Sequence, residues 1–189
     1  HDGTTDKDPE VLATKKLFAN GMVGRPVPEL VGLLRHADMR IRQEAQFQLV
    51  DLRAAEALIK VAADSGHRLA QLHALWGIGQ LLRGPAPLPG SVSTTLETLA
   101  RDKDAEVRAQ VVKVLGESRL PGSADIATMR LSDSNPRVQA FAAHALSKLR
   151  KPESSATLLA LLEKNADRDV YVRHAAVMGL VAANDMPAL

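Results

Sequence analysis

Cysteine is missing from all 189 residues, which removes disulfides, thiol nucleophiles, thiolate metal centres and covalent haem attachment from the chemistry open to this segment. Aromatic side chains are nearly as scarce, at 3%. A core without large rings has to be built from small aliphatic residues packed closely, which suits helices. No apolar run approaches the roughly 18–20 residues that cross a bilayer. A strong charge of either sign is missing too: 24 Lys and Arg face 22 Asp and Glu, leaving a formal +2. That excess is weak attraction for any polyanion, and the pI of about 9.1 overstates it, because a small imbalance moves a pI a long way. The N-terminal stretch HDGTTDKDPE has no initiator Met, no basic start and no apolar signal core. The chain therefore reads as a fragment or mature segment, from which targeting information would be missing.

What is present is aliphatic and repetitive. Hydrophobic residues make up 46% of the chain, so it is not a disordered one. One phrase recurs: DMRIRQEAQFQLV from Asp38, DAEVRAQVVKVLG from Asp104, NPRVQAFAAHALS from Asn135 and DVYVRHAAVMGLV from Asp169, with LAQLHALWGIG from Leu69 as a degenerate copy. Its anchoring apolar positions are Ile41, Ala70, Val107, Val138 and Val172, separated by 29, 37, 31 and 34 residues. Periods of this size indicate a stacked solenoid. A shorter apolar helix precedes each copy, marked in turn by Leu30, Leu33 and Leu34; Leu58 and Val61; Leu96 and Leu99; Ile126 and Met129; and Leu158, Leu159 and Leu162. The unit is helix A, a tight turn, then helix B. Asp38, Asp104, Asn135 and Asp169 each stand three residues before an anchor, where a short oxygen-bearing side chain caps free N–H groups of helix B. Pro136 follows Asn135 at the first helical position, where its missing N–H is no loss.

The form D-x-x-V-R-x-x-A-x-x-A-L-G resembles the HEAT repeat, especially its short bacterial variant, over about Pro28 to Asn184. The resemblance implies an all-α, right-handed α-solenoid of about five HEAT-like helix pairs. LLRHADMRIRQEAQFQL followed by RLAQLHALWGIGQLL is further similar to the HEAT segment of haem-binding, membrane-bound dehydrogenase proteins of planctomycete-type bacteria. Those proteins join a propeller, HEAT repeats and a cytochrome c domain. Neither the propeller nor a Cys-x-x-Cys-His motif is present here. That narrower likeness implies an exported redox parent and a periplasmic or cell-envelope location. Outside the array, residues 1–25 form an extension, loose over 1–7, with a capping helix over Asp8–Asn20. The array occupies 26–189, interrupted by RGPAPLPG at 83–90, whose three prolines cannot continue a helix.

On a helical wheel, offsets four, five, seven and eight from each anchor surround it and define the buried arc. Offset six lies nearly opposite and holds Phe47, Trp76, Lys113, His144 and Met178. Offsets two and three add His73, Phe141 and His174. A solvated face would carry Lys, Glu and Gln here. A column with three of the five aromatics in the chain and three histidines instead predicts a concave binding groove, with Trp76 facing into it.

Catalytic signatures are lacking. No Gly-x-Ser-x-Gly, phosphate loop, dinucleotide fingerprint, His-x-x-x-His or His-Glu pair occurs. His144 and His174 lie in adjacent repeats, but B-helix axes about 8–10 Å apart make a shared metal demanding, so no metal and no cofactor is expected in this segment. Arg42, Arg108 and Arg173 follow their anchors, with Gln71 and Gln139 in the equivalent place. They read as a polar ladder to caps or carbonyls of the next repeat, and phosphate contact is the weaker alternative. The expectation is a non-catalytic protein-interaction scaffold, bound to a protein partner or to neighbouring domains of its own chain. Nucleic acid is disfavoured and no membrane span is foreseen. The competing reading is a HEAT-like enzyme or lyase holding a small molecule in the groove, or a DNA-binding HEAT protein.

Overall fold

A computed structural model of the chain describes residues 8–118 and 120–184. The expected loose stretch 1–7 and the last five positions of the expected array lie outside the described residues. Among the described residues all regular structure is helical. Two compact units divide the chain, the first ending at Leu81 and the second starting at Leu82.

The first unit opens with α1 (Pro9–Asn20), capped by the Asp8 carboxylate on the Glu10 N–H and ended by Gly21 at φ 67°. It contributes no buried residue. Two antiparallel pairs follow, α2 (Val27–Leu33) with α3 (Met39–Asp51), and α4 (Ala55–Ala63) with α5 (Arg68–Leu82). Their core is Leu30, Leu34, Ile41, Leu49, Leu58, Leu75 and Ile78, all fully buried. Gly77 lets α5 settle on α4: a Cβ there would stand 3.1 Å from Leu58 Cδ1.

After the proline-rich stretch 83–90, the second unit contains α6 (Ser91–Leu99), α7 (Ala105–Ser118), α8 (Ser123–Arg130), α9 (Pro136–Leu149), a 3-10 turn at Pro152–Ser154, α10 (Ser155–Asn165) and α11 (Val170–Ala183). Helix α9 packs between α7 and α11. Val112, Ala142, Ala143, Leu146, Leu158, Val172 and Ala176 form its continuous core. Small residues set how closely these helices approach. A Cβ on Gly116 would lie 2.6 Å from Ala145 Cα, and one on Gly179 2.9 Å from Leu158 Cδ1. One shorter helix departs from expectation. In α8, Ile126 is only partly buried and Met129 is exposed, while Ala127 and, just past the helix end, Leu131 fill the core. The helix is short and its partner α9 is alanine-rich, so the small face is the one that fits.

All four predicted caps form. Oδ1 of Asp38, Asp104, Asn135 and Asp169 accepts from the N–H two residues on, at 2.8–2.9 Å. A second layer holds the caps themselves: their own N–H groups donate to His36 Nδ1, Asp102 Oδ1, Asp133 Oδ1 and Asn165 Oδ1. The polar ladder is largely internal to each repeat, where bonds to the next repeat were expected. Arg42 Nη1 donates to the His36 and Ala37 carbonyls, Gln71 to Ala62 and Gln139 to Asp133, closing each unit's own A–B turn. Arg108 does both: Nη1 bonds the Asp102 carbonyl, while Nε and Nη2 grip both oxygens of Asp133 in the following repeat at 2.8 and 2.7 Å.

Candidate protein-interaction groove

Within the second unit, α9 and α11 enclose a groove of about 360 Å³ lined by Pro136, Arg137, Ala140, Phe141, His144, Asp169, Tyr171, His174 and Ala175. Its position follows from the repeat. Offsets four, five, seven and eight of α9 (Ala142, Ala143, Ala145 and Leu146) are buried, and that turns offset six and its neighbours outward. His144 is exposed and Phe141 half-buried on α9, and His174 is exposed on α11. The small side chains of Ala140 and Ala175 leave the space between the helices open.

Three of the expected site residues, Phe141, His144 and His174, thus meet in one groove. Lys113 and Met178 belong to the same unit but do not line it. Lys113 is half-buried beside Glu117, at 4.0 Å, and Met178 is 45% exposed. Phe47, His73 and Trp76 belong to the first unit. Phe47 is 37% exposed and Trp76 half-buried. His73 corrects the expectation: it is only 4% exposed, its Nδ1 lies 2.8 Å from Gln46 Oε1, and its ring meets the edge of Trp76 at 4.9 Å and 73°. Offset three on α5 points at α3, so His73 is core. Burial, then the positive charge of Arg42, push its pKa down to about 4.

Tyr171 and Arg137 were missed. Tyr171 is 78% exposed beside the groove, and Arg137 lies 4.8 Å above the Phe141 ring. Both stand one residue before an anchor, at about −100° on the wheel, within about 20° of offset six. The signal existed, but a wheel begun at the anchor omits it. Arg137 is held in place by Glu106, with Nε 2.6 Å from Oε2 and Nη2 3.1 Å from Oε1.

Electrostatically, the two ends of the groove differ. At one end the Asp169 carboxylate is occupied by the N–H groups of Tyr171 and Val172. At the other, His144 is followed one turn later by Lys148, which bonds Glu117 at 3.1 Å. Glu117 also pairs with Arg83 at 2.9 Å. Burial raises its pKa, but Lys148, Lys113 and Arg83 outweigh that and hold it below the usual carboxylate value. His144 is pushed below the ordinary imidazole value by burial, then by Lys148 and His174, with Glu117 opposing. Among the described residues no three His, Asp or Glu side chains gather closely enough to hold a metal ion.

The HEAT repeats family model matches residues 92–181. In fold the chain is an armadillo and HEAT-type α-solenoid. A designed armadillo repeat protein in complex with the peptide (KR)4 is similar at a TM-score of 0.56 and 20% identity, over 82% of this chain and 80% of that one. Two engineered proteins are similar at TM-scores of 0.54 and 0.57, with 20% and 19% identity, over 82% and 87% of this chain and 78% and 87% of theirs. Identities this low speak to the solenoid fold alone. No curated protein matches the chain significantly. The HEAT match takes in α6 to α11 up to Val181, and with them the whole groove. No helix among the described residues is long and apolar enough to cross a membrane.

Proposed function

We propose that this solenoid is a non-catalytic interaction scaffold, and that the α9–α11 groove receives a side chain from a protein partner or a neighbouring domain. The observation that carries the reading is the groove itself: two aromatic rings over an alanine floor, open to solvent and rimmed by imidazoles. Exposed aromatic anchors beside polar groups are the usual centre of an interface. Nothing lining the groove pairs a nucleophile with a base, which favours a scaffold over an enzyme. A designed armadillo protein of similar fold holds a peptide, which supports an extended segment as the ligand.

The test is selection of peptides from a displayed random library, followed by affinity measurements on Phe141→Ser and Tyr171→Ala. Loss of about tenfold or more in both, with unchanged helical circular dichroism, supports the groove. Selected peptides that bind both variants as well as the parent overturn it. The two phrases similar to planctomycete-type dehydrogenase proteins extend the proposal to a repeat module within a larger bacterial redox protein. A Cys-x-x-Cys-His motif encoded in the same reading frame would support that extension, and a full-length frame without one would end it.

A further inference from the structure

Helices α9 and α11 together carry Arg137, His144, Lys148, Arg173 and His174, and neither contains a single Asp or Glu. Arg137 is taken up by Glu106 and Arg173 by Asp167. The rest of the cationic side is underpaired. Three cations, Arg83, Lys113 and Lys148, share the one carboxylate of Glu117. His144, one turn before Lys148, joins this cluster to the aromatic groove.

We propose that the groove's ligand is an acidic peptide. One of its apolar or aromatic side chains enters the space between Phe141 and Tyr171, and its carboxylates lie along His144, Lys148 and Lys113. This rests on the groove reading above and adds the chemical class of the partner. The cavity, at about 360 Å³, suits one large side chain. Asp169 at the far end already accepts from the N–H groups of Tyr171 and Val172. Burial first, then Lys148 and His174, work against protonation of His144 while Glu117 favours it, and a ligand carboxylate beside Lys148 would act in the same sense as Glu117. A basic peptide meets the opposite sign. Duplex DNA is a poor fit, because the cluster holds only four cations, Arg83, Lys113, Lys148 and Arg150, beside Glu117, and the chain's net charge is only +2.

The experiment measures fluorescence anisotropy of fluorescein-labelled peptides EEFEE, EEGEE and KKFKK, and of a short duplex DNA, with the whole chain at low and moderate salt. The expected result is EEFEE bound at least about tenfold tighter than KKFKK and EEGEE, weakening as salt rises. Lys113→Glu with Lys148→Glu should abolish the preference, and the milder Lys113→Gln with Lys148→Gln should reduce it while helical content stays unchanged. KKFKK bound as tightly as EEFEE overturns the proposal, as does an EEFEE affinity indifferent to both lysine pairs. DNA bound more tightly than EEFEE, and lost in the lysine variants, overturns it in favour of nucleic acid. If EEFEE fails while library-selected peptides still depend on Phe141 and Tyr171, the acidic class is wrong and the groove stands. If selected peptides ignore those two rings, the groove reading itself has failed.

Discussion

His73 shows what one buried titratable side chain contributes. The unfolded chain takes up this proton near pH 6.5, the folded chain only near 4. Stability from keeping the ring neutral is therefore complete above about pH 6.5 and is lost as pH falls toward 4, by at most about 3 kcal/mol. Urea midpoints at pH 7.5 and 5 should diverge more in the parent than in His73→Gln; equal slopes would mean the imidazole is hydrated. Asp133 is the second such residue. Its side chain is 3% exposed and grips Arg108, itself 11% exposed, with Arg130 at 3.3 Å. Burial raises its pKa, and the Arg108 and Asn135 hydrogen bonds more than reverse that, so the folded carboxyl titrates below its unfolded value. That contribution is present above the unfolded pKa and fades in acid. Asp133→Ala leaves two guanidinium groups without their acid and should cost about 3–5 kcal/mol by denaturant titration. A loss under about 1 kcal/mol would show that water replaces the carboxylate.

At the scale of elements, glycine at the helix contacts separates packing from propensity. Gly116 on α7 has no room for a methyl group, because Ala145 of α9 stands against it. Gly32 on α2 has nothing within 4 Å of a built Cβ. Gly116→Ala should destabilise by about 1–3 kcal/mol, through forced separation of α7 and α9. Gly32→Ala should stabilise by about 0.5–1 kcal/mol, through helix propensity alone. Thermal melts of the pair read this directly, and a shift of the same sign in both would reject the close α7–α9 approach. The caps were legible from single letters because a cap is a local device, complete within three residues. The α8 core was not: choosing Ala127 and Leu131 over Ile126 and Met129 depends on the shape of α9, which adjacent letters do not encode.

For the whole molecule, a repeat array is stabilised chiefly by neighbours, so damage should stay near its source. Leu146 is 1% exposed, in the core shared by α9, α10 and α11. Leu146→Ala should remove about 2–5 kcal/mol. In hydrogen exchange it should speed the amides of α7 to α11 far more than those of α2 to α5. Uniform acceleration through the chain would show a single cooperative unit. The same neighbour logic governs the groove, since it exists only where two B helices stand side by side.

The sequence by itself determined the all-helical class, the five helix pairs, the caps and the outward direction of offset six at Phe47, His144 and Met178, while Trp76 and Lys113 there are half-buried. Each of these follows from periodicity or from contacts a few residues apart. Tertiary structure decided which members of that outward column share a site. His73 went inward because α3 lies beside it. Phe141, His144 and His174 came together because α9 and α11 pack at small alanines. Tyr171 joined them from a helix start that no anchor-based wheel includes. Those outcomes depend on side chains about 27 to 34 residues away along the chain, a separation at which only packing brings residues into contact.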